Sequence, residues 1–388
     1  MIDICIIGGG ASGLMAAISA RLERPNASIY ILEKNDKIGK KLLATGNGRC
    51  NFSNTSCKYS NEIVSFFNEL GIKERVEEDG RIYPYNGQAH DVVSALESYI
   101  VKHDIKINTG FVVTSLSVLP DGSIEISNGE TKLTAKNVLI ATGGKAGPQF
   151  GCIGDGYKLA KDMGHSVTKI IPALSPVECK GEFSKLKGVR AKAKVSLLRN
   201  NVALNSEIGE VQFTDYGLSG ICVFNLSRDI TIGEEKFSDY QILVDLIPDM
   251  SEMELFLELL SRQKNENIKP ENFLISLVPN KLADFILNDL GINLADEQIS
   301  YEKVQQLAQT LKGLAFTVRN VKGWQFAQCT SGGITTTEIN MDAMHSKIVN
   351  GLFFAGEVID FDGPCGGFNL QNAWETGIKA GKAMAMNV

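Results

Sequence analysis

The chain lacks much of what several protein classes require. It has no excess of positive charge: 39 lysines and arginines stand against 45 aspartates and glutamates, a formal net charge of −6. Phosphate backbones need a basic face, so nucleic acid is not expected as a main partner. No uncharged apolar run is long enough to cross a bilayer, and no membrane association is expected. The opening residues have no basic n-region and no A-x-A site, and they carry Asp3. They do not read as a secretory leader, and a cytoplasmic location is expected. Histidine is scarce, at 4 residues, and none of the 8 cysteines stands in a C-x-x-C pair. Cys5, Cys50, Cys57, Cys152, Cys179, Cys222, Cys329 and Cys365 are scattered. Neither a metal site nor a disulfide framework is expected, and the thiols should be reduced. Repeats, low-complexity tracts and long flexible linkers are also missing.

What is present points to a multidomain globular protein. A length of 388 residues predicts two or three domains, and 44% hydrophobic with 22% charged residues is ordinary for one. Ile2 to Ile7 is an almost continuous apolar run, the pattern of a strand buried on both faces of a parallel sheet. Ser12 to Leu22 reads as a helix, and Ser28 to Leu32 as a second strand ending at Glu33. Gln88 to Lys102 reads as a helix, and Ile105 to Leu133 as an antiparallel meander with turns at PDGS and NGE. KNVLIATGG is a further buried strand ending in glycines. Pro172 to Asp245 changes to short β-like runs, and Ser251 to Gln309 to amphipathic helical windows. Ser251 with Glu254 forms a capping-box pattern. From Gly313 the β-like text resumes, and Leu352 to Ala355 is a last buried strand before a helix from Leu370 to Met386.

Gly8, Gly10 and Gly13 fit G-x-G-x-x-G between a strand and a helix, with Glu33 at the end of the next strand. In that motif the first glycine permits the turn, the second lets backbone approach a pyrophosphate, and the third lets helix pack closely on strand. The helix N-terminus favours the anion, and Glu33 suits ribose hydroxyls. KIGKKLLATGNGRCNFSN follows, a glycine-rich loop bearing Thr45, Asn47, Arg49 and Asn51. Arg49 is a candidate ligand for an anion or carbonyl, and Cys50 reads as a packing residue. Thr142, Gly143 and Gly144 end a strand, and Asp155 reads as a helix N-cap. Glu357 follows the closing strand and suits a sugar-alcohol hydroxyl. Gly366 and Gly367 precede Asn369, read as the N-cap of the last helix. A helix N-terminus there would stabilise the negative charge of a reduced flavin ring. His90, His103 and His165 read as surface or helix residues and His345 as structural. Phe316, Trp324 and Phe326 read as core, and Tyr216 in FTDYGLSG is a candidate to face the flavin.

The blocks IIGGGASGLMAA, EKNDKIGKKLLATGNGRCNFSN, IATGGKAGPQFGCIGDGYKLAKDMGH, VQFTDYGLSG, LVDLIPDMS, TSGGITTTEIN and SKIVNGLFFAGEVIDFDGPCGGFNLQNAWETG occur in this order along essentially the whole chain. Together they resemble a bacterial family of three-domain FAD-dependent oxidoreductases that includes aminoacetone oxidase and the flavoprotein reductase of bile-acid dehydroxylation. The resemblance implies an α/β fold with a Rossmann-like FAD domain built from both chain ends, residues 1–172 and 329–388. It also implies a β-barrel-like substrate domain, 173–250 and 311–328, and an inserted helical domain, 251–310. Non-covalent FAD contacts carry over to Gly8, Gly10, Ser12, Gly13, Glu33, Lys34, Thr45, Gly46, Arg49, Cys50, Asn51, Thr142, Gly143, Gly356, Glu357, Gly367, Asn369 and Leu370.

The expected activity is hydride transfer between a small organic substrate and flavin N5, with Arg49 and Tyr216 as candidate catalytic residues. Two chemistries stay open: oxidation of an amine or amino ketone by oxygen, and NAD(P)H-linked reduction of a C=C bond. No second complete dinucleotide motif is present, so NAD(P)H would bind only transiently. A flavin-binding redox sensor or RNA-modification partner is the alternative of another class. The sequence sets no oligomeric state.

Overall fold

The computed structural model describes residues 1–77, 79–232, 236–293 and 299–388. The chain divides into two compact units, one made of Met1–Pro172 with Gln328–Val388 and the other of Ala173–Ala327.

In the first unit β1 (Ile2–Ile7) runs into α1 (Ala11–Glu23), which returns to β2 (Ile29–Glu33). β1 lies parallel between β2 and the strand Lys132–Ile140, with Ile6 opposite Ile31 on one side and Leu139 on the other. Leu352–Phe354 pairs in parallel with the far edge of Lys132–Ile140, and Lys106–Thr109 pairs in parallel with β2. The last strand of the chain therefore joins the sheet that the first one begins. Ile4 and Ile6 are fully buried, as a strand covered on both faces requires. Asp3 is tolerated in β1 because its carboxylate accepts from Ser28 N–H at 2.9 Å and pairs with Lys136 at 2.9 Å. Ser115–Val118, Ile124–Ser127 and the start of Lys132–Ile140 form the antiparallel meander.

Both chain ends also meet as helices. The C-terminal helix Phe368–Met386 packs along α1 with small residues at the contact. A Cβ on Gly381 would lie 2.3 Å from the carbonyl oxygen of Ala16, and one on Gly377 2.5 Å from that of Ser12. Trp374, fully buried, fixes the same helix from its other side. Its indole N–H donates to the Phe52 carbonyl at 2.9 Å, and its ring meets the edge of Phe67.

The second unit is a closed antiparallel barrel. Its strands run in the order Val177–Cys179, Gly217–Ser219, Val202–Phe213, Arg190–Arg199, Tyr240–Asp245 and Leu314–Val321. Inward and outward positions alternate, as in Tyr240, Ile242 and Val244, which are buried. The helices Glu252–Lys264, Asn280–Asp289 and Tyr301–Lys312 share one apolar cluster with the barrel. The first of them starts with the expected capping box: Ser251 Oγ accepts from Glu254 N–H, and Glu254 accepts from Ser251 N–H at 2.8 Å. One element departs from the β-like reading of this region, the helix Ile221–Ile232. Its β-branched residues favour strand, yet Cys222, Val223, Leu226 and Ile230 fall on one buried face, and packing overrides propensity.

Other local expectations need correction. His165 is not a surface residue. It is 3% exposed, its Nε2 lies 2.8 Å from Ser346 Oγ, and its ring meets the edge of Phe354. Phe316 is core, at 2% exposure, whereas Phe326 is 47% exposed and lies under the Lys322 ammonium. Among the described residues no helix is long and apolar enough to cross a membrane.

The α1 contact gives a direct test. Gly381→Ala forces a methyl group into the Ala16 backbone and should destabilise the protein by about 1–3 kcal/mol. Urea unfolding should show a lower midpoint with an unchanged slope; an unaltered midpoint would mean that the two helices can part without loss.

Candidate functional site

The site grows from the end of β1. Gly8 has φ +111°, and a Cβ on it would lie 2.4 Å from the Ala141 carbonyl oxygen. A Cβ on Gly13 would come within 2.0 Å of the Gly8 carbonyl oxygen, so α1 starts hard against the strand end. Gly10 is different: a Cβ there would meet no atom within 4 Å. The space beyond Gly10 is a cavity of ≈ 1130 Å³, counting its open mouth. The first turn of α1 faces it with unpaired backbone donors and no acidic residue, a setting that favours an anion.

Glu33 is 7% exposed and sits in the cavity wall at the end of β2. Its Oε2 accepts from Gly9 N–H at 2.8 Å, and its Oε1 accepts from the backbone and side-chain nitrogens of Asn35, each at 2.8 Å. A carboxylate fixed in this way still has lone pairs for ligand hydroxyls. Lys34 pairs with Asp155 at 2.6 Å, and Lys41 with Glu357 at 2.6 Å. The other Asp155 oxygen, Oδ1, is buried without a protein partner and belongs to a residue of the cavity wall.

Of the residues singled out by sequence, Gly8, Gly10, Ser12, Glu33, Lys34 and Thr45 line this cavity, as do Thr142, Gly143, Glu357, Asn369 and Leu370. Gly13, Gly46, Cys50, Asn51, Gly356 and Gly367 stand behind that wall and brace it. Gly356 lies against Ser12, whose Oγ would be 2.4 Å from a Cβ there. Gly46, Asn47, Gly48 and Cys50 all have positive φ, which coils the TGNGRC stretch tightly. Cys50 is fully buried, and burial pushes its thiol up to about 12, in keeping with packing. The Asn51 amide, oriented to satisfy its neighbours, accepts from Gly367 N–H at 3.1 Å and donates to Ser53 O at 2.9 Å. Asn54 Nδ2 donates to Gly366 O at 3.0 Å, and the side chains of Ser53 and Gln371 meet at 2.6 Å. The glycine loop near the start thus clamps the beginning of the last helix.

Two capping expectations are corrected. Gly154, in the left-handed region, caps the helix Asp155–Asp162; Asp155 is its first residue and spends its side chain on Lys34. Gly367 caps the last helix, while Asn369 Oδ1 accepts from Gly363 N–H at 2.8 Å, pinning the GPCGG turn. Arg49 does not line the cavity. It pairs with Glu77 and lies over the Tyr83 ring, 4.0 Å from its centroid. Tyr216 belongs to the barrel unit, where Lys322 Nζ lies 3.6 Å from its ring centroid and burial raises its phenol pKa. Lys41, Thr330 and the unpaired Asp155 oxygen were not foreseen. Their signal was weak: one lysine among several, one threonine in a polar stretch and an aspartate with an N-cap signature.

The chain matches the family described as the HI0933-like protein Rossmann domain over residues 2–63 and 58–383. It belongs to that family. The chain is an FAD-dependent oxidoreductase. A 3-dehydro-bile acid delta(4,6)-reductase of Clostridium scindens is 36% identical to it over 98% of each chain. A ribosomal RNA dihydrouridine synthase of Haemophilus influenzae is 28% identical, over 96% of this chain and 95% of that one. Among solved structures, a 3-ketosteroid-delta4-(5alpha)-dehydrogenase from Rhodococcus jostii RHA1 shares the fold with a TM-score of 0.52 at 14% identity, over 99% of this chain and 96% of that one. A flavocytochrome c3 fumarate reductase in its open conformation gives 0.51 at 17% identity, over 99% of this chain and 78% of that one.

The cavity fits FAD on its own chemistry. It offers room at Gly10, backbone donors for phosphates, and carboxylate acceptors for sugar hydroxyls at Glu33 and Glu357. Two variants test this placement. Glu33→Ala should weaken FAD binding by about tenfold or more, since hydrogen bonds to a charged group contribute ~1.5–3 kcal/mol. Gly10→Val should lose the flavin while the apoprotein keeps its melting temperature. Purified Gly10→Val protein as yellow as the parent would show that the cofactor lies elsewhere.

Proposed function

We propose that this HI0933-like protein reduces a carbon–carbon double bond conjugated to a carbonyl in a small organic molecule, with electrons drawn from NAD(P)H. The observation that carries this reading is the full-length match to the bile-acid reductase. The names of both relatives describe one chemistry. A 3-dehydro-delta(4,6) bile acid is a conjugated dienone, and dihydrouridine is uridine with the C=C bond beside a carbonyl saturated. Amine oxidation by oxygen finds no such support.

When bound, FAD supplies two-electron hydride chemistry; the chain supplies binding, charge and protons. The β1–α1 turn would hold the pyrophosphate and Glu33 the ribose. The first turn of the last helix, which has no acidic residue, would offer its partial positive charge to the reduced flavin. Saturating a conjugated C=C bond needs a hydride at one carbon and a proton at the other, so an acid is required. We assign that proton to Tyr216. A tyrosine phenol is protonated at neutral pH, and burial raises its pKa further; the Lys322 ammonium over its ring stabilises the charge left when the proton departs. Arg49 is assigned the substrate's carbonyl or carboxylate. The helical segment 251–310 is read as an inserted domain.

Anaerobic oxidation of NADH or NADPH, followed with a 4-en-3-one steroid and separately with uridine, tests the reaction. Turnover with either conjugated carbonyl is expected. Peroxide release from aminoacetone, with no enone-dependent NAD(P)H oxidation, would overturn the reading. Tyr216→Phe should slow reduction by ~10²-fold or more with FAD content unchanged. Arg49→Ala should raise KM more than it lowers kcat.

A further inference from the structure

Lys41 lies outside the dinucleotide motif, and the sequence pattern gives it no role. It is the second residue of the short helix α2 (Lys40–Ala44), and its Nζ lies 2.6 Å from Glu357 Oε2. The other carboxylate oxygen, Oε1, accepts from Thr330 N–H at 2.9 Å. The Thr330 hydroxyl in turn accepts from Lys145 N–H at 2.8 Å and Ala146 N–H at 3.0 Å. A Cβ on Gly144 would lie 2.8 Å from Glu357 Oε1 and 2.3 Å from Thr330 Oγ1, so only glycine leaves room for this arrangement. Segments from four distant parts of the chain thus converge on one carboxylate in the cavity wall.

The physical problem solved here is electrostatic. A bare carboxylate that a ligand covers loses water with nothing to offset its charge, and the cost falls on the part of the ligand that lies against it. Glu357 is 20% exposed and Lys41 26%, so water does little to screen either charge. Of the other lysines of this segment, Lys34 pairs with Asp155 and Lys40 with Asp36, and Lys37 is exposed. Burial pushes the thiols of Cys152 and Cys329 up, so neither adds a negative charge beside the pair. Lys41 and Thr330 take one site on each Glu357 oxygen and leave further lone pairs free. The result is an acceptor without net charge, suited to hydroxyl groups and not to anions.

We propose that Lys41 is a positioning residue that cancels the charge of Glu357 and aims its carboxylate at a hydroxyl of the ribityl chain of bound FAD. This rests on the FAD reading of the cavity. ADP, which lacks the ribityl chain, does not use the pair and serves as the control ligand.

The experiment measures dissociation constants of FAD and ADP for the full-length apoprotein and for Lys41→Met, Lys41→Arg and Lys41→Met/Glu357→Gln. Lys41→Met leaves a part-buried carboxylate unpaired and should weaken FAD binding about tenfold, with ADP affinity unchanged. Lys41→Arg should retain FAD binding, and the double variant should recover most of the loss because its wall is again neutral. Equal weakening of ADP would make Lys41 a phosphate ligand and overturn the proposal, as would wild-type FAD affinity in Lys41→Met. Should Lys41→Met fail to fold, the double variant decides, and loss of FAD binding there counts against the proposal. Failure of the wild-type apoprotein itself to bind FAD would instead refute the cofactor reading.

Discussion

The close approach of the first helix to the last is the constraint on which the site depends. Backbone oxygens of Ser12 and Ala16 lie where side chains of Gly377 and Gly381 would have to be. Because those side chains are absent, the two helices touch along their backbones. That contact sets the distance between the start of α1 and the start of the C-terminal helix. Both helix N-termini then open onto one cavity, one beside Gly10 and the other beside Asn369 and Leu370. The strands beneath repeat the same relation, since Leu352–Phe354 and β1 flank Lys132–Ile140 in parallel. A ligand held by both helix starts is held by both ends of the chain, so cofactor binding and the closing of the sheet stabilise the same arrangement.

A second pattern runs through the charges. The wall carries Glu33, Asp155 and Glu357, yet the ligand that the wall serves is an anion. Each carboxylate is offset within the protein. Glu33 is surrounded by N–H donors from Gly9 and Asn35, Asp155 meets Lys34, and Glu357 meets Lys41 and Thr330. Backbone donors at the helix starts are then left as the uncompensated positive groups. Such a wall separates two tasks: anionic parts go to backbone, hydroxyl parts to offset carboxylates.

Legibility in the sequence followed the range of the interactions concerned. The β1–α1–β2 unit was plain because apolar runs, glycine spacing and Glu33 are all local signals. The capping box at Ser251 and Glu254 was plain for the same reason. The barrel was legible only through the family resemblance and not from residue pattern, because Val177–Cys179 and Gly217–Ser219 are three residues each, too short to show alternation. The helix Ile221–Ile232 was misread because its residue types favour strand while its buried face is set by packing. Asp155 followed the sequence rule for a cap, but the cap is Gly154, since a partner 121 residues away claims the side chain. Lys41 was invisible for a similar reason: Glu357 stands 316 residues from it, and nothing in KIGKK says which lysine turns inward.

The loop TGNGRCN shows how one motif can serve the fold beside any role toward a ligand. Its glycines and asparagines suggest a flexible arm reaching toward a ligand. In the structure the same residues form a tight coil, with four positive-φ positions between Gly46 and Cys50. Beyond the coil, Asn51, Phe52, Ser53 and Asn54 each bond to the start of the C-terminal helix or the glycines before it. The loop acts chiefly by fixing where that helix begins. Only Thr45 of this stretch reaches the cavity wall, while Arg49 is held outside it by Glu77 and Tyr83. Residues that never touch the cavity therefore set its shape as strictly as those that line it, because each one fixes a helix N-terminus that the ligand must meet.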